Sequence, residues 1–145
     1  MPEKKRRIVI LSEGYFGDLE AKTASGLIMY KPEDVVAVLD STQAGKTVQK
    51  ILGFGGDIPV VAGFLYLTNS NIAWMEWIIS NKDYKDNNRK EALKTLILGL
   101  ENIALSVGKD MIFNVSKSKS LINIHKELGY TVDESPSYEI SKKLI

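Results

Sequence analysis

The stretch that decides the fold is residues 87–115, NNRKEALKTLILGLENIALSVGKDMIFNV. Apolar side chains recur in it at steps of three and four residues, the pattern of one buried helix face: Leu93, Leu96, Ile97, Leu100, Ile103, Ala104 and Val107. We expect Asn87 or Asn88 to cap this helix and Gly108 to end it in a left-handed conformation. Residues 111–115 then predict a short, buried inner strand. A helix leading into such a strand is typical of a right-handed crossover between parallel strands, and so of an α/β protein.

Composition indicates an ordinary globular protein. The chain has 145 residues, of which 44% are hydrophobic, and this length predicts a single domain over residues 1–145. Its net charge of +1 gives no reason to expect nucleic acid or an anionic membrane as a partner. Cysteine is absent and His125 is the one histidine, which excludes thiolate and multi-histidine metal sites. Because no apolar run approaches the ~20 residues that span a bilayer, we expect a cytoplasmic location.

Before and after Ala62 the chain follows two different patterns. Strands are predicted at 8–11, 35–39 and 59–62, with helices at about 19–30 and 46–52, and this β-α-β-α-β order is half of a doubly wound sheet. After Ala62, a hairpin is predicted from segments 63–67 and 72–80. The long helix and its strand follow, then a helix at 118–128 and closing strands at 130–132 and 138–144. The fold class is therefore α/β, with a single mixed, mainly parallel sheet flanked by helices.

Three phrases in the first half carry a resemblance to a known family. They are RRIVILSEGYFGDLEAKTASGLI at 6–28, VVAVLDSTQAGKTV at 35–48 and LGFGGDIPVVA at 52–62. Residues 5–62 resemble the Rossmann-like N-terminal domain of a bacterial family of unknown function, whose members continue into a P-loop NTPase-like domain. The resemblance implies a Rossmann-like half for residues 1–62. Nothing after Ala62 has the P-loop spacing G-x-x-x-x-G-K-[ST].

The second half resembles a different family. Its phrases are IAWMEWIISN at 72–81, YKDNNRKEALKTLILGLENIA at 84–104 and SLINIHKELGY at 120–130. Residues 63–145 resemble the C-terminal two thirds of a GNAT-type N-acetyltransferase, of the divergent kind found in phages. The resemblance implies a GNAT-like ββαβαββ half, in which the phrases are the central strand, the pyrophosphate loop with its helix, and a later helix. The family's first strands and helices, which shape the substrate side, have no counterpart here.

Two partial folds joined near residues 60–64 predict a chimera, engineered or produced by natural recombination. Because a fold can be inherited without its chemistry, the prediction is an α/β protein with no inherited activity, no cofactor and no specific ligand. One alternative is an acetyl-CoA-dependent N-acetyltransferase. Another is a self-associating module, since exposed strand edges could pair two chains into a homodimer.

The acetyltransferase alternative assigns residues by resemblance. The family's pyrophosphate pattern, Arg/Gln-x-x-Gly-x-Gly/Ala, falls on Lys85, Asn88 and Lys90, so that both glycines are replaced. The implied acetyl-CoA residues are Ile78, Ser80, Lys85, Asn87, Asn88, Arg89, Lys90 and Ser118. Glu76 stands where family members sometimes carry the base, on a predicted face with Trp74, Ile78 and Ser80. His125 stands where the family has its thiolate-donating tyrosine. A rim glutamate and a solvated histidine are the simpler interpretations, so no catalytic residue is favoured.

Two further patterns invite functional interpretations that the residues do not support. Segment 40–47, DSTQAGKT, follows a strand and precedes a helix as a phosphate loop would, but Asp40 stands where a P-loop needs glycine. We expect Ser41 or Thr42 to cap the helix and Lys46 to be solvated. Gly14 and Gly17 lack the G-x-G-x-x-G spacing of a dinucleotide site. Five aromatic residues at strand spacing are predicted to pack in the core: Phe64, Tyr66, Trp74, Trp77 and Phe113.

Overall fold

The computed structural model describes residues 6–81, 83, 87–135, 138 and 140–144, with the side chain of Asn87 excepted, and it shows an α/β fold. The strands are β1 (Ile8–Leu11), β2 (Val35–Leu39), β3 (Val60–Leu67), β4 (Ile72–Ile79) and β5 (Met111–Phe113). The helices are α1 (Lys22–Tyr30), α2 (Val48–Leu52), α3 (Asn87–Ser106) and α4 (Lys119–Glu127), with single 3₁₀ turns at Leu19–Ala21 and Pro32–Asp34. The chain forms two compact units, Met1–Val115 and Ser116–Ile145.

One five-stranded sheet in the order β1-β2-β3-β4-β5 organises the first unit. The pairs β1/β2, β2/β3 and β4/β5 are parallel, and only the β3/β4 hairpin is antiparallel. The predicted mixed, mainly parallel sheet is therefore confirmed. Eight buried side chains from the first half share one core cluster, namely Ile10, Phe16, Ile28, Val35, Val38, Val48, Ile58 and Val60.

A single strand, β3, replaces the two strands predicted on either side of Ala62. Val60 and Val61 pair in parallel with the end of β2, and the residues from Ala62 to Leu67 pair in antiparallel with β4. Gly63 does not interrupt the strand; it lets α3 pack closely, since a Cβ there would lie 3.0 Å from Leu100 Cδ1. The join between the two sequence patterns therefore lies inside one continuous hydrogen-bonded strand.

Helix α3 follows the prediction closely. Its buried face consists of Ala92, Leu93, Leu96, Ile97, Leu100 and Ala104, and it packs against β3 and β2. Ile103 and Val107, expected on that face, are 52% and 49% exposed. Gly108 has a φ of +78° and ends the helix as predicted. Asn87 and Asn88 are the first two residues of the helix, so neither precedes it as a cap.

Strand β5 differs from the prediction in both length and place. It has three residues and is the outermost strand of the sheet rather than an inner one. Met111 and Phe113 are 51% and 44% exposed, because side chains two residues apart lie on the same face of a strand and that face of β5 is exposed. Val115 lies beyond the strand and is also exposed.

The second unit contains α4 and no strand among its described residues. Ser118 caps α4 by accepting a hydrogen bond from Leu121 N. Residues 130–132 and the described part of 138–144 are not strands, so the two predicted closing strands are wrong there. The described residues from Tyr138 onward are exposed, and without a buried face an alternating pattern cannot fix a strand. Pro136, Ser137, Glu139 and Ile145 lie outside the described residues.

Within the described parts of the chain, none of the helices is both long and apolar enough to cross a membrane.

Candidate functional site

Strand β5 ends after a short pairing with β4. Residues Ile72–Trp74 pair with Met111–Phe113, and β4 then continues to Ile79 without pairing to β5. The side chain of Asn114 donates its Nδ2–H to the carbonyl of Met75 at 2.6 Å. A side chain therefore bonds the β4 backbone just past the last paired residue of β5. We call the part of β4 that extends beyond this pairing, Met75–Ile79, the β4–β5 fork.

A β-bulge at Trp77 shapes the end of β4. Between the pairs Ala62–Ile79 and Phe64–Glu76, β4 contributes one residue more than β3. Trp77 has a φ of +52°, the one positive φ among described non-glycine residues. Such a conformation costs about 1–3 kcal/mol and is usual at a bulge. The extra residue shifts the alternation, so that Ile79 rather than Ile78 lies opposite Ala62, and the predicted shared face of Trp74, Glu76, Ile78 and Ser80 is wrong beyond Glu76.

A side-chain hydrogen bond links the end of β4 to the start of α3. Arg89 Nε donates to Ser80 Oγ at 3.1 Å, so the first turn of α3 is tied to the residue that follows β4. Ile78 and Ser80 of the implied acetyl-CoA set therefore lie at the same end of the sheet as Arg89. Lys85 and the side chain of Asn87 lie outside the described residues, and Ser118 belongs to the second unit.

Glu76 lies on an exposed face of the sheet rather than in the core. It is half-buried and pairs with Phe64 across the hairpin. Gly63 points toward α3, so its neighbour Phe64 lies on the opposite face, with Tyr66 and Trp74. The core packing predicted for the aromatic residues is wrong: the exposed fractions are 40% for Phe64, 51% for Tyr66, 39% for Trp74, 69% for Trp77 and 44% for Phe113.

The exposed aromatic residues form a continuous surface. Phe113 lies beside Trp74 in the sheet register, and the centroids of their rings are 5.5 Å apart. We call Phe64, Tyr66, Trp74 and Phe113 the aromatic face. Glu76 is the carboxylate that β4 places among these rings, so any reaction that used it would take place on this face.

His125 is buried, contrary to the solvated position expected on a polar helix face. It is 5% exposed, and the ring of Tyr130 meets it edge-on with centroids 4.7 Å apart. His125 Nδ1 lies 2.9 Å from the carbonyl oxygen of Leu121, which can only accept, so Nδ1 carries the proton. In the neutral ring Nε2 is then an acceptor, and it has no hydrogen-bond partner among the described residues. A proton-donating role at Nε2 therefore requires the imidazolium form.

A second candidate site lies where β1 and β2 end. Asp40 follows β2, is fully buried, and accepts hydrogen bonds from Phe16 N at 3.0 Å, Thr42 N at 2.8 Å, Thr42 Oγ1 at 2.6 Å and Gln43 N at 3.2 Å. Glu13 accepts from the backbone and hydroxyl of Ser41. These contacts join the loop after β1 to the loop after β2. Sequence reasoning treated Asp40 as a defect in a phosphate loop and missed this role.

The cap of α2 also differs from the prediction. Thr47, rather than Ser41 or Thr42, precedes the helix and accepts from Lys50 N at 3.3 Å. Lys46 is exposed, as expected, and its Nζ donates to Gln43 Oε1 at 2.7 Å. The loop is thus held by hydrogen bonds among its own side chains and by those to the loop after β1.

A cavity of about 340 Å³ opens between these two loops and α2. Its lining combines apolar and polar groups: Phe16, Gly17, Asp18, Gln43, Lys46, Lys50 and Ile51. We call it the β1–β2 cavity. Neither here nor in the other described parts of the chain do three acidic or histidine side chains converge as metal ligands.

The environment of Asp40 makes stability depend on pH in the acid range. Burial, the largest influence, raises the pKa of this carboxyl, but the hydrogen bonds from Thr42, Phe16 and Gln43 together lower it below its ordinary 3.8. Because the folded pKa is the lower one, this contribution is fully present above pH 3.8 and is lost as the pH falls through the folded value. We expect the backbone amide of Phe16 to report that titration in ¹⁵N–¹H spectra. A Phe16 amide that titrated above the ordinary aspartate pKa would contradict the expected shift.

No family model matches the sequence, and no similar protein was found among curated proteins. Among solved structures, a crystal structure of a Trypanosoma brucei acetyltransferase is similar with a TM-score of 0.39 and 18% sequence identity. The similar region covers 56% of this chain and 56% of the trypanosomal chain, so the chain spans little more than half the length of that protein. At this TM-score the similarity defines neither a family nor an activity.

Proposed function

We propose that the segment from β4 through α3 to β5 binds the extended arm of a CoA thioester and supports N-acetyl transfer of the GNAT type. The observation that carries this proposal is the β4–β5 fork. Because β4 is longer than β5, the backbone of β4 beyond this pairing has no partner in β5. An extended arm that contains amide groups can pair with such a strand as an added strand would.

The start of α3 supplies the second element of the proposed binding site. The first backbone N–H groups of a helix have no intrahelical partner, and the helix dipole favours an anion there. Arg89, in the first turn, adds positive charge and is anchored to Ser80. Asn88 and Lys90 replace the glycines of the family pattern, so we expect the pyrophosphate to lie farther from the backbone than a glycine loop permits.

In the proposed reaction, Glu76 accepts a proton from an amine on the aromatic face. The amine nitrogen then attacks the thioester carbonyl, the C–S bond breaks, and the departing thiolate takes up a proton. Aromatic rings around Glu76 favour an amine that carries apolar or cationic groups. The resemblance alone assigns the donation of that proton to His125, which belongs to the second unit, and the proposal does not depend on it.

A second proposal is a chimeric fold without inherited chemistry. Two observations favour it: His125 holds its proton on Nδ1 against Leu121, and both glycines of the pyrophosphate pattern are replaced. In this proposal the sheet is retained because β3 connects the two halves, and the β4–β5 fork is an inherited shape only.

A ¹⁵N–¹H correlation spectrum with and without millimolar acetyl-CoA separates the two proposals. For a CoA-binding protein we expect saturable shifts at Ile78–Ser80 and Asn88–Ala92. We expect Asn88→Gly with Lys90→Gly to tighten binding by about tenfold, because the backbone can then approach the pyrophosphate. Asn102→Gly, the same kind of change at an exposed site far along α3, should have no effect on binding.

The outcomes discriminate clearly. Binding that appears only in the double glycine variant would show that the present loop is a remnant and would favour the chimera. A dispersed spectrum that no concentration of acetyl-CoA alters, in either protein, would overturn CoA binding altogether. An amine screen becomes informative only after saturable shifts have been seen.

A further inference from the structure

We propose that the β1–β2 cavity binds a small phosphomonoester of a polyol, such as a sugar phosphate. The site belongs to the first half of the chain and uses none of the residues of the β4–β5 fork. It is therefore independent of the proposed acetyl transfer, and binding here would contradict the prediction that the chain has no specific ligand.

The position of the cavity is the first argument. It lies between the loops that follow the parallel strands β1 and β2, where side chains from both loops face one space. Both loops are fixed by interactions that span them, through Asp40 to Phe16 and through Glu13 to Ser41. A site whose walls are already held in place loses little conformational entropy when a ligand binds.

The charges that line the cavity indicate the ligand. Lys46 is directed by its hydrogen bond to Gln43, and Lys50 makes no ion pair or side-chain hydrogen bond within the described residues. Two ammonium groups suit a phosphate dianion. Asp18 and Gln43 line the same space, and their oxygens can accept hydrogen bonds from hydroxyl groups. A ligand that is anionic at one end and hydroxylated at the other can bind the two lysines and also donate to the oxygens of Asp18 and Gln43.

The size of the cavity favours a small ligand. A volume of about 340 Å³ is near the lower end of the ~300–1,000 Å³ typical of small-molecule sites. A single sugar phosphate suits this space, whereas a dinucleotide needs more. Gly17, with a φ of +101°, lets the first loop approach α2 so closely that a Cβ would lie 2.8 Å from Ile51 Cγ2. Phe16 and Ile51 provide an apolar wall for the carbon chain.

The test uses the full chain and three probes: ribose 5-phosphate, ribose and inorganic phosphate. We expect ribose 5-phosphate to shift the amides of residues 16–18 and 43–47 saturably, and ribose to shift none of them. Lys46→Gln with Lys50→Gln should weaken binding by about tenfold or more, since both charges are lost. Lys31→Gln, an exposed lysine outside the cavity, is the matched control and should bind as the wild type does.

Each other outcome would overturn the proposal. If the double variant bound ribose 5-phosphate as tightly as the wild type does, the two lysines would have no part in binding. Inorganic phosphate that binds as tightly as ribose 5-phosphate would show that the polyol contributes nothing to binding. Asp18→Ala checks this point independently: it removes an acceptor for hydroxyl groups, so it should weaken ribose 5-phosphate relative to inorganic phosphate. Absence of shifts at 20 mM probe would end the assignment. Both lysines are exposed, so the variants are expected to fold, and their own spectra verify it.

Discussion

Replacement of Gly55 by alanine is expected to lower the free energy of unfolding by about 3 kcal/mol or more, a larger effect than the same replacement at any other glycine of this chain. Gly55 has a φ of +94°, and a Cβ there would lie 2.6 Å from both Ile28 Cγ2 and Val48 Cγ1. Neither neighbour can move outward, because both side chains are fully buried in the core of the first half. Strained backbone and overpacking add about 1–3 kcal/mol each. Urea unfolding measures the sum.

Gly56→Ala is the matched control for this variant. Gly56 also has a positive φ, +65°, but nothing lies within 4 Å of the Cβ it would gain. Its expected loss is therefore the backbone contribution alone, about 1–2 kcal/mol. Equal losses in the two variants would show that the contacts with Ile28 and Val48 relax at little cost.

Asp40→Ala is the second large effect, with an expected loss of about 3 kcal/mol in the free energy of unfolding. The carboxylate accepts from the backbone of Phe16, Thr42 and Gln43, and its removal leaves these N–H groups without their acceptor. The buried N–H of Phe16 retains the full cost of desolvation when it loses its partner, and the partly buried N–H groups of Thr42 and Gln43 retain part of it. Because the contacts join two loops, the amides of residues 12–18 should also lose protection from hydrogen exchange.

Asp133→Ala distinguishes this effect from the loss of any aspartate. Asp133 also accepts a backbone hydrogen bond, from Ser135 N at 2.8 Å, but water can replace it at that exposed position. We expect the urea midpoint of this variant to match the wild type. A comparable loss in both variants would mean that burial contributes nothing to the role of Asp40.

Sequence reasoning succeeded where local periodicity decides the structure. The three- and four-residue spacing of α3, the apolar run of β2 and the polar turn of the β3–β4 hairpin each contain their own signal. Together they also predicted the α/β class and the mainly parallel sheet. Where the helix ends was equally local, since Gly108 provides the left-handed conformation.

The errors arise where distant parts of the chain decide. Asp40 acquires its role from Phe16, a partner 24 positions away, so its own segment gave no indication of it. The bulge at Trp77 appears only in the register of β4 against β3. His125 is buried by Tyr130 across a turn, although its helix face reads as polar. The aromatic face was assigned to the core because alternation shows that two faces differ and does not show which face is covered.

Because β3 is continuous, the number of residues that can be inserted or deleted near Ala62 is restricted. Side chains alternate between the two faces along the strand through Ala62, Gly63 and Phe64. Strands β2 and β4 both pair with this strand, so the alternation fixes which of their side chains face the core. Inserting or deleting one residue there would turn one half of the first unit over relative to the other, exposing core side chains. A change by an even number of residues would keep the same side chains on the core face, and a change by an odd number would need a second bulge as compensation.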